Sequence, residues 1–172
     1  LTEEYTNYKV VANIPYYVTG KIIQKFLAVE NKPTSMTLLM QKEVAQNLTA
    51  KPGSLNLLAI SVQLYGTARL VEVVPARNFY PAPKVDSAVV HIELYKKPKY
   101  KINDNKFFFK VAKSCFMGKR KQIHNTLTNN LLVSKEDVEK ILQDLNLSST
   151  LRPQQLSIEQ WIELVNKISL LK

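Results

Sequence analysis

The sequence predicts an α/β sheet domain over residues 1–96, followed by a small all-helical domain over residues 97–172. Three observations carry this reading. Strand-like and helix-like apolar patterns alternate at the start of the chain, which argues for parallel strands joined by helices. Two β-rich runs follow, separated by a proline-punctuated connector. From Lys96-Lys97-Pro98-Lys99 onward the pattern is helical alone.

Tyr8 to Ile14 reads as a short buried strand, because KVVANI is mostly apolar and β-branched and Pro15 stops it from continuing. Thr19 to Glu30 places Ile22, Ile23, Phe26 and Leu27 at helical spacing. Thr37 to Met40 is a second strand-length run, and Val44, Ala45 and Leu48 continue it as a helix. After the turn Lys51-Pro52-Gly53-Ser54, Leu55 to Tyr65 is helical in pattern, with Gly66 where a C-terminal cap belongs. Ala68 to Val74 and Ser87 to Leu94 are expected to form an antiparallel pair at the sheet edge, joined by the connector Pro75 to Asp86. Farther on, Ser134 with Asp137 and Ser157 with Gln160 have capping-box spacing. Val138, Ile141, Leu142 and Leu145 form one apolar helix face, and Trp161, Leu164, Val165 and Ile168 form another.

With 172 residues and 45% hydrophobic content, the chain is long enough to bury a core. No run approaches the roughly 18 to 20 apolar residues of a membrane span. The opening LTEEYTNYKV also lacks the basic-then-apolar order of a signal peptide. A cytoplasmic protein with no membrane partner is therefore expected. A single cysteine, Cys115, rules out an internal disulfide, and with only His91 and His124 beside it no metal-ligand spacing exists, so no metal is expected. Cys115 sits in an apolar stretch and reads as a buried structural thiol.

The net charge of +10 is concentrated in one segment. Residues 96–121 carry Lys96, Lys97, Lys99, Lys101, Lys106, Lys110, Lys113, Lys119, Arg120 and Lys121 against Asp104 alone, whereas residues 1–95 are net +2 and residues 122–172 net −1. Holding so one-sided a block together costs repulsion that phosphates would relieve, which points to a nucleic-acid surface. Lys106, Lys110, Lys113, Arg120 and His124 recur at helical steps, a stripe opposite Phe108, Ala112, Cys115 and Ile123 if the segment is one helix. Gly118 is a candidate break between two helices. Phe107-Phe108-Phe109 reads as core.

Ligands of open α/β sheets bind beyond the carboxyl ends of the strands, which singles out Asn13-Ile14-Pro15-Tyr16. The Asn13 amide oxygen and the Pro15 carbonyl are two acceptors suited to the two hydrogens of an exocyclic amine, and Tyr16 offers a ring on which a base can stack. Taken alone, the string is also what an ordinary strand-ending turn looks like. The connector Phe79-Tyr80-Pro81-Ala82-Pro83-Lys84-Val85-Asp86-Ser87 adds aromatics on a proline-stiffened loop, a rigid wall for a planar base.

Together with Gln41-Lys42-Glu43-Val44-Ala45 and Pro83-Lys84-Val85-Asp86-Ser87-Ala88-Val89-Val90, these strings resemble the KsgA family, the bacterial small-subunit ribosomal-RNA adenine N6,N6-dimethyltransferases. The resemblance runs from about Tyr8 to Val165. It includes Phe116-Met117-Gly118-Lys119-Arg120-Lys121-Gln122-Ile123-His124-Asn125-Thr126-Leu127 and Arg152-Pro153-Gln154-Gln155-Leu156-Ser157. It implies the C-terminal part of a Rossmann-like class I methyltransferase sheet, with S-adenosyl-L-methionine as the methyl donor. The acceptor is then N6 of a flipped-out adenine in small-subunit ribosomal RNA or the immature 30S subunit. By that resemblance Asn13 and Pro15 accept from the amine, Tyr16 stacks on the base and Phe79 closes its other face. Asn13 also borders the donor, and Lys106, Lys110, Lys113, Lys119, Arg120, Lys121 and His124 grip RNA.

The chain departs from the family in starting after the strand, glycine-rich turn and acidic residue that hold the donor. Its glycines, Gly20, Gly53, Gly66 and Gly118, include no Gly-x-Gly. A fragment is expected, inactive by itself and exposing an apolar sheet edge, with a monomer expected of the complete protein. Two other readings stay open: a large-subunit adenine methyltransferase of the macrolide-resistance type, which shares Asn-Ile-Pro-Tyr, and a non-catalytic ribosomal-RNA-binding or assembly factor with the same fold.

Overall fold

A computed structural model describes residues 6–118, 120–131 and 133–171 of the chain. They divide into two compact units, Leu1–Ala50 with Leu58–Lys99, and Lys51–Leu57 with Tyr100–Lys172.

The first unit is built on β1 (Lys9–Asn13), α1 (Thr19–Ala28), β2 (Ser35–Gln41), α2 (Lys42–Leu48), α3 (Leu57–Gln63), β3 (Gly66–Val74) and β4 (Ser87–Leu94). The sheet order is β1-β2-β4-β3. β1 and β2 are parallel, as their helical crossover requires. β4 runs antiparallel between β2 and β3, so of the expected antiparallel pair only β3 is an edge strand. Alternation sends Met36, Leu38 and Met40 of β2 and Ala88, Val90, Ile92 and Leu94 of β4 to one face. There they form one core with Ile23 and Leu27 of α1, Ala45 and Leu48 of α2, and Val62 of α3. Each of the Val, Leu, Ile and Met side chains among them contributes about 1.5–3 kcal/mol on burial, and the alanines less. On the opposite face the row Val11, Thr37, His91 and Arg69 crosses all four strands, and Val11 is 81% exposed. The Thr37 hydroxyl meets His91 Nδ1 at 2.9 Å in that row.

Three expectations fail here for identifiable reasons. The strand read as buried, β1, has no buried residue in Lys9–Asn13, because among the described residues it is an edge strand of the sheet. Gly66 opens β3 instead of capping a helix, because a Cβ at that position would run into the Glu93 carbonyl of β4. The helix expected over Leu55–Tyr65 is only Leu57–Gln63, because the Leu55 amide donates to the Gln154 carbonyl at 3.3 Å. Gly53 donates to that same carbonyl at 2.8 Å, which ties residues 51–57 to the helical unit.

The second unit comprises α4 (Asn105–Phe116), α5 (Ile123–Leu131), α6 (Lys135–Asp144) and α7 (Ile158–Ser169), with a 3-10 turn at Pro153–Gln155. Trp161 is fully buried, stacks on Phe116 with ring centroids 5.7 Å apart, and donates its indole N–H to the Pro153 carbonyl at 3.2 Å. Phe107, Phe108, Val111, Ala112 and Cys115 of α4 are buried, whereas Phe109, the third residue of the run read as core, is half-buried. Ser157 and Gln160 form a complete capping box at the start of α7. At α6 the Asp137 amide donates to Ser134 Oγ at 3.0 Å, while the Ser134 hydroxyl donates to the Asp137 carboxylate at 2.7 Å, so only the forward half of the box exists. Among the described residues no helix is long and apolar enough to cross a membrane.

Candidate functional site

In the first unit, strand direction brings the singled-out strings to one edge of the sheet. β1 and β2 end there, β4 begins there and β3 ends there, with Asn13 opposite Leu39, Gln41 opposite Ser87, and Val74 opposite Ser87. Ile14 anchors the turn after β1. Its side chain is buried in the core, and its amide donates to the Leu39 carbonyl at 3.2 Å. The residues on either side, Asn13 and Pro15, are exposed. Pro15 holds φ −56° and ψ 130° and leads into a 3-10 turn at Tyr16–Val18. Its carbonyl already accepts from the Val18 amide at 3.1 Å, which occupies one of two lone pairs and leaves one for a ligand.

Tyr16 is half-buried, and its phenol oxygen lies 2.7 Å from the Ser87 hydroxyl. Tyr17, the next residue, is 87% exposed. Phe79 is half-buried at the end of a second 3-10 turn, Ala76–Asn78, and its amide donates to the Ala76 carbonyl at 3.2 Å. The Ala76 amide donates to Asp86 Oδ1 at 3.1 Å, and Lys42 Nζ lies 3.5 Å from Asp86 Oδ2. A cavity of about 410 Å³ opens beside this cluster, lined by Gln41, Lys42, Glu43, Gln46, Ala76, Lys84, Val85 and Asp86. It shares Lys42, Ala76 and Asp86 with the cluster and is lined by neither Asn13 nor Tyr16, so it flanks the expected base position. Sequence reasoning quoted Asp86 and Ser87 as part of a string and assigned them no part. The available signal was a serine opening a strand whose next residues are apolar.

In the second unit Lys106, Lys110 and Lys113 share the exposed side of α4, opposite its buried phenylalanines. Asp104, the lone acid of the basic segment, is used as the helix cap and accepts from the Phe107 amide at 2.9 Å. The helix ends at Phe116 and α5 begins at Ile123, so Gly118 lies in a turn between two helices. Arg120 and Lys121 are exposed in that turn, and Lys119 lies outside the described residues. Among the described residues, Lys106, Lys110, Lys113, Arg120 and Lys121 form no salt bridge. His124 differs from them. It is half-buried, with Nε2 3.7 Å from a Glu139 carboxylate oxygen on α6. Burial raises the Cys115 thiol pKa to about 11, with a hydrogen bond to Thr126 acting in the opposite direction. Among the described residues no group of three His, Cys, Asp or Glu side chains is placed to hold a metal ion.

A family model described as ribosomal RNA adenine dimethylase matches residues 1–169. The ribosomal RNA small subunit methyltransferase A of Dehalococcoides mccartyi strain 195 is 41% identical over 154 residues, which is 90% of this chain and 53% of that protein. The protein of the same name from Lactobacillus delbrueckii subsp. bulgaricus is 45% identical, over 94% of this chain and 54% of its own length. The chain thus spans about half the length of these curated relatives. The crystal structure of a dimethyladenosine transferase from Plasmodium falciparum superposes with a TM-score of 0.81 over 94% of this chain and 66% of its own, at 22% identity. That likeness shows the fold, a Rossmann-like class I sheet followed by a helical part. With nearly every residue inside the family match, the chain belongs to the ribosomal RNA adenine dimethylase family.

Proposed function

We propose that the protein transfers methyl groups from S-adenosyl-L-methionine to N6 of adenines in small-subunit ribosomal RNA, and that this chain carries the side of the site that holds the base. The observation carrying the reading is the turn after β1. It leaves Asn13 and Pro15 exposed on either side of the buried Ile14 and holds the Tyr16 ring at the same sheet edge. Asn13 Oδ1 and the remaining lone pair of the Pro15 carbonyl accept the two N6 hydrogens. That draws the nitrogen lone pair out of conjugation with the ring and aims it. Tyr16 and Phe79 stack on the base, at about 1–3 kcal/mol per ring, which offsets the few kcal/mol needed to unstack it from the RNA. Positioning and electrostatics supply the rate, so no general base is invoked. The donor, when bound, supplies an electrophilic methyl on a sulfonium.

Asn13 is the one residue here that we place against the donor. The four glycines lie in α1, β3 and two turns, and none forms the glycine-rich strand-to-helix turn that a nucleoside donor needs. We therefore propose that residues 1–172 alone neither bind the donor tightly nor methylate RNA, and a measurable turnover by them would overturn this. We assign base holding to residues 1–96 and the RNA grip to residues 97–172, through Lys106, Lys110, Lys113, Lys119, Arg120 and Lys121. His124, in helical step with Lys106, Lys110 and Lys113 and with Nε2 3.7 Å from Glu139, is assigned to the same grip. The immature small subunit is the partner, the cytoplasm the compartment, and a monomer the working form. The small-subunit substrate is favoured over a large-subunit one because the relatives at about 40% identity bear the small-subunit name.

The test is Asn13→Ala in the complete protein encoded by the gene. By analogy with deleting one preorganised polar contact to a transition state, methylation is expected to slow roughly a hundredfold, with RNA binding unchanged. Undiminished methylation would remove Asn13 from the site.

A further inference from the structure

We propose that Asp86 and Ser87 are a positioning pair that sets both aromatic walls of the base site, a reading that rests on the function proposed above. Ser87 is fully buried at the first position of β4, where a hydroxyl without a partner is costly. Its partner, at 2.7 Å, is the phenol oxygen of Tyr16, 71 residues earlier in the chain. A tyrosine on a short turn keeps two free side-chain torsions. Pinning the far end of its ring fixes the plane on which a base must stack.

Asp86 acts in the same way on the other wall. Its Oδ1 accepts from the Ala76 amide at 3.1 Å, and Ala76 opens the turn that Phe79 closes by donating back to the Ala76 carbonyl. The Asp86 carbonyl accepts from the Lys42 amide at 3.0 Å, which fixes the pair to the start of α2. Hydrogen bonds from Tyr16 to Ser87, from Ala76 to Asp86 and from Phe79 to Ala76, linked through the Asp86–Ser87 peptide bond, therefore connect the two aromatic residues. The Lys42–Asp86 ion pair is 42% exposed on both sides and contributes little; the hydrogen bonds to Ser87, to the Asp86 carboxylate and to the Asp86 carbonyl carry the positioning.

The experiment is single-turnover methylation of immature small subunits by the complete protein, with KM for the RNA and the urea midpoint measured for each variant. Tyr16→Phe and Ser87→Ala delete the same hydrogen bond from opposite ends. Each is expected to slow methyl transfer by about five- to tenfold, the equivalent of one hydrogen bond, with KM unchanged. The double variant is expected to be no slower than the slower single variant. Asp86→Ala is expected to slow transfer to a similar degree, and Asp86→Asn, which keeps an acceptor for Ala76, to restore most of the rate. Because Tyr16→Phe leaves the core untouched, it reports on the contact even if Ser87→Ala lowers the urea midpoint. Rates within twofold of the wild type for Tyr16→Phe, or multiplicative effects in the double variant, would overturn the proposal. Tyr16→Ala separates the two readings. If it leaves methylation intact, base stacking by Tyr16 fails; if it abolishes methylation while Tyr16→Phe and Ser87→Ala change nothing, only the positioning pair fails.

Discussion

The two units hold their functional side chains in opposite ways. In the first, Tyr16 and Phe79 are half-buried and tied down through short contacts of 2.7 to 3.2 Å to Ser87, Asp86 and Ala76. In the second, Lys106, Lys110, Lys113, Arg120 and Lys121 stand exposed on a helix and a turn without salt-bridge partners among the described residues. Under the proposed function the difference follows from what each unit would recognise. A base presented for methyl transfer needs a fixed plane and acceptors in fixed places, since misplacement raises the barrier. A phosphate backbone needs only positive charge within reach, and flexible lysines supply it without fine geometry. Substitutions in the first unit should therefore act on the rate of transfer, and those in the second on affinity and its salt dependence.

The largest expected effect is on the second unit's fold. Trp161→Ala removes a fully buried ring, its stack on Phe116 and its bond to Pro153. A loss of about 3–5 kcal/mol in urea-monitored stability is expected. A smaller loss would mean that the helical unit does not depend on that centre to present its lysines. Next comes the comparison itself. Replacing Lys106, Lys110 and Lys113 together by glutamine should weaken RNA binding roughly tenfold at low salt and lower the salt slope by about 2, with little change in single-turnover rate at saturating RNA. An unchanged slope would remove phosphate gripping from α4.

The smallest effect concerns Cys115. Its thiol pKa is raised from 9.0 to about 11 because the charged form is disfavoured by burial. The neutral thiol's contribution to stability is therefore complete below pH 9 and is lost as pH rises through 11. At pH 10 the loss should be on the order of 1 kcal/mol. Comparing the native protein with Cys115→Ala across pH 8 to 11 checks this, since the variant should lack that component of the alkaline loss.

Much of this was legible in the sequence. Short apolar, β-branched runs located the strands, and helical apolar spacing located the helical second half, because burial selects those residue types and that period. Asn13-Ile14-Pro15-Tyr16 stood out because a proline ends a strand where α/β sheets bind ligands. Most of the missed features depend on contacts between residues far apart in the chain. Nothing near Gly66 announces the Glu93 carbonyl that forbids it a side chain. His124 keeps helical step with the lysines, yet Glu139 lies beside its ring. The Tyr16–Ser87 contact and the Val18 amide on the Pro15 carbonyl are set by tertiary and turn geometry that residue types do not specify.

The most direct test of the division between positioning and grip is to measure two quantities on two variants of the complete protein: single-turnover methylation at saturating RNA, and RNA affinity as a function of salt. Asn13→Ala is expected to lose roughly a hundredfold in rate with its binding curve unmoved, whereas the Lys106, Lys110 and Lys113 triple variant should lose affinity and salt slope at a nearly unchanged rate. If both variants lost rate and affinity together, or if Asn13→Ala weakened binding and spared transfer, the account would be contradicted.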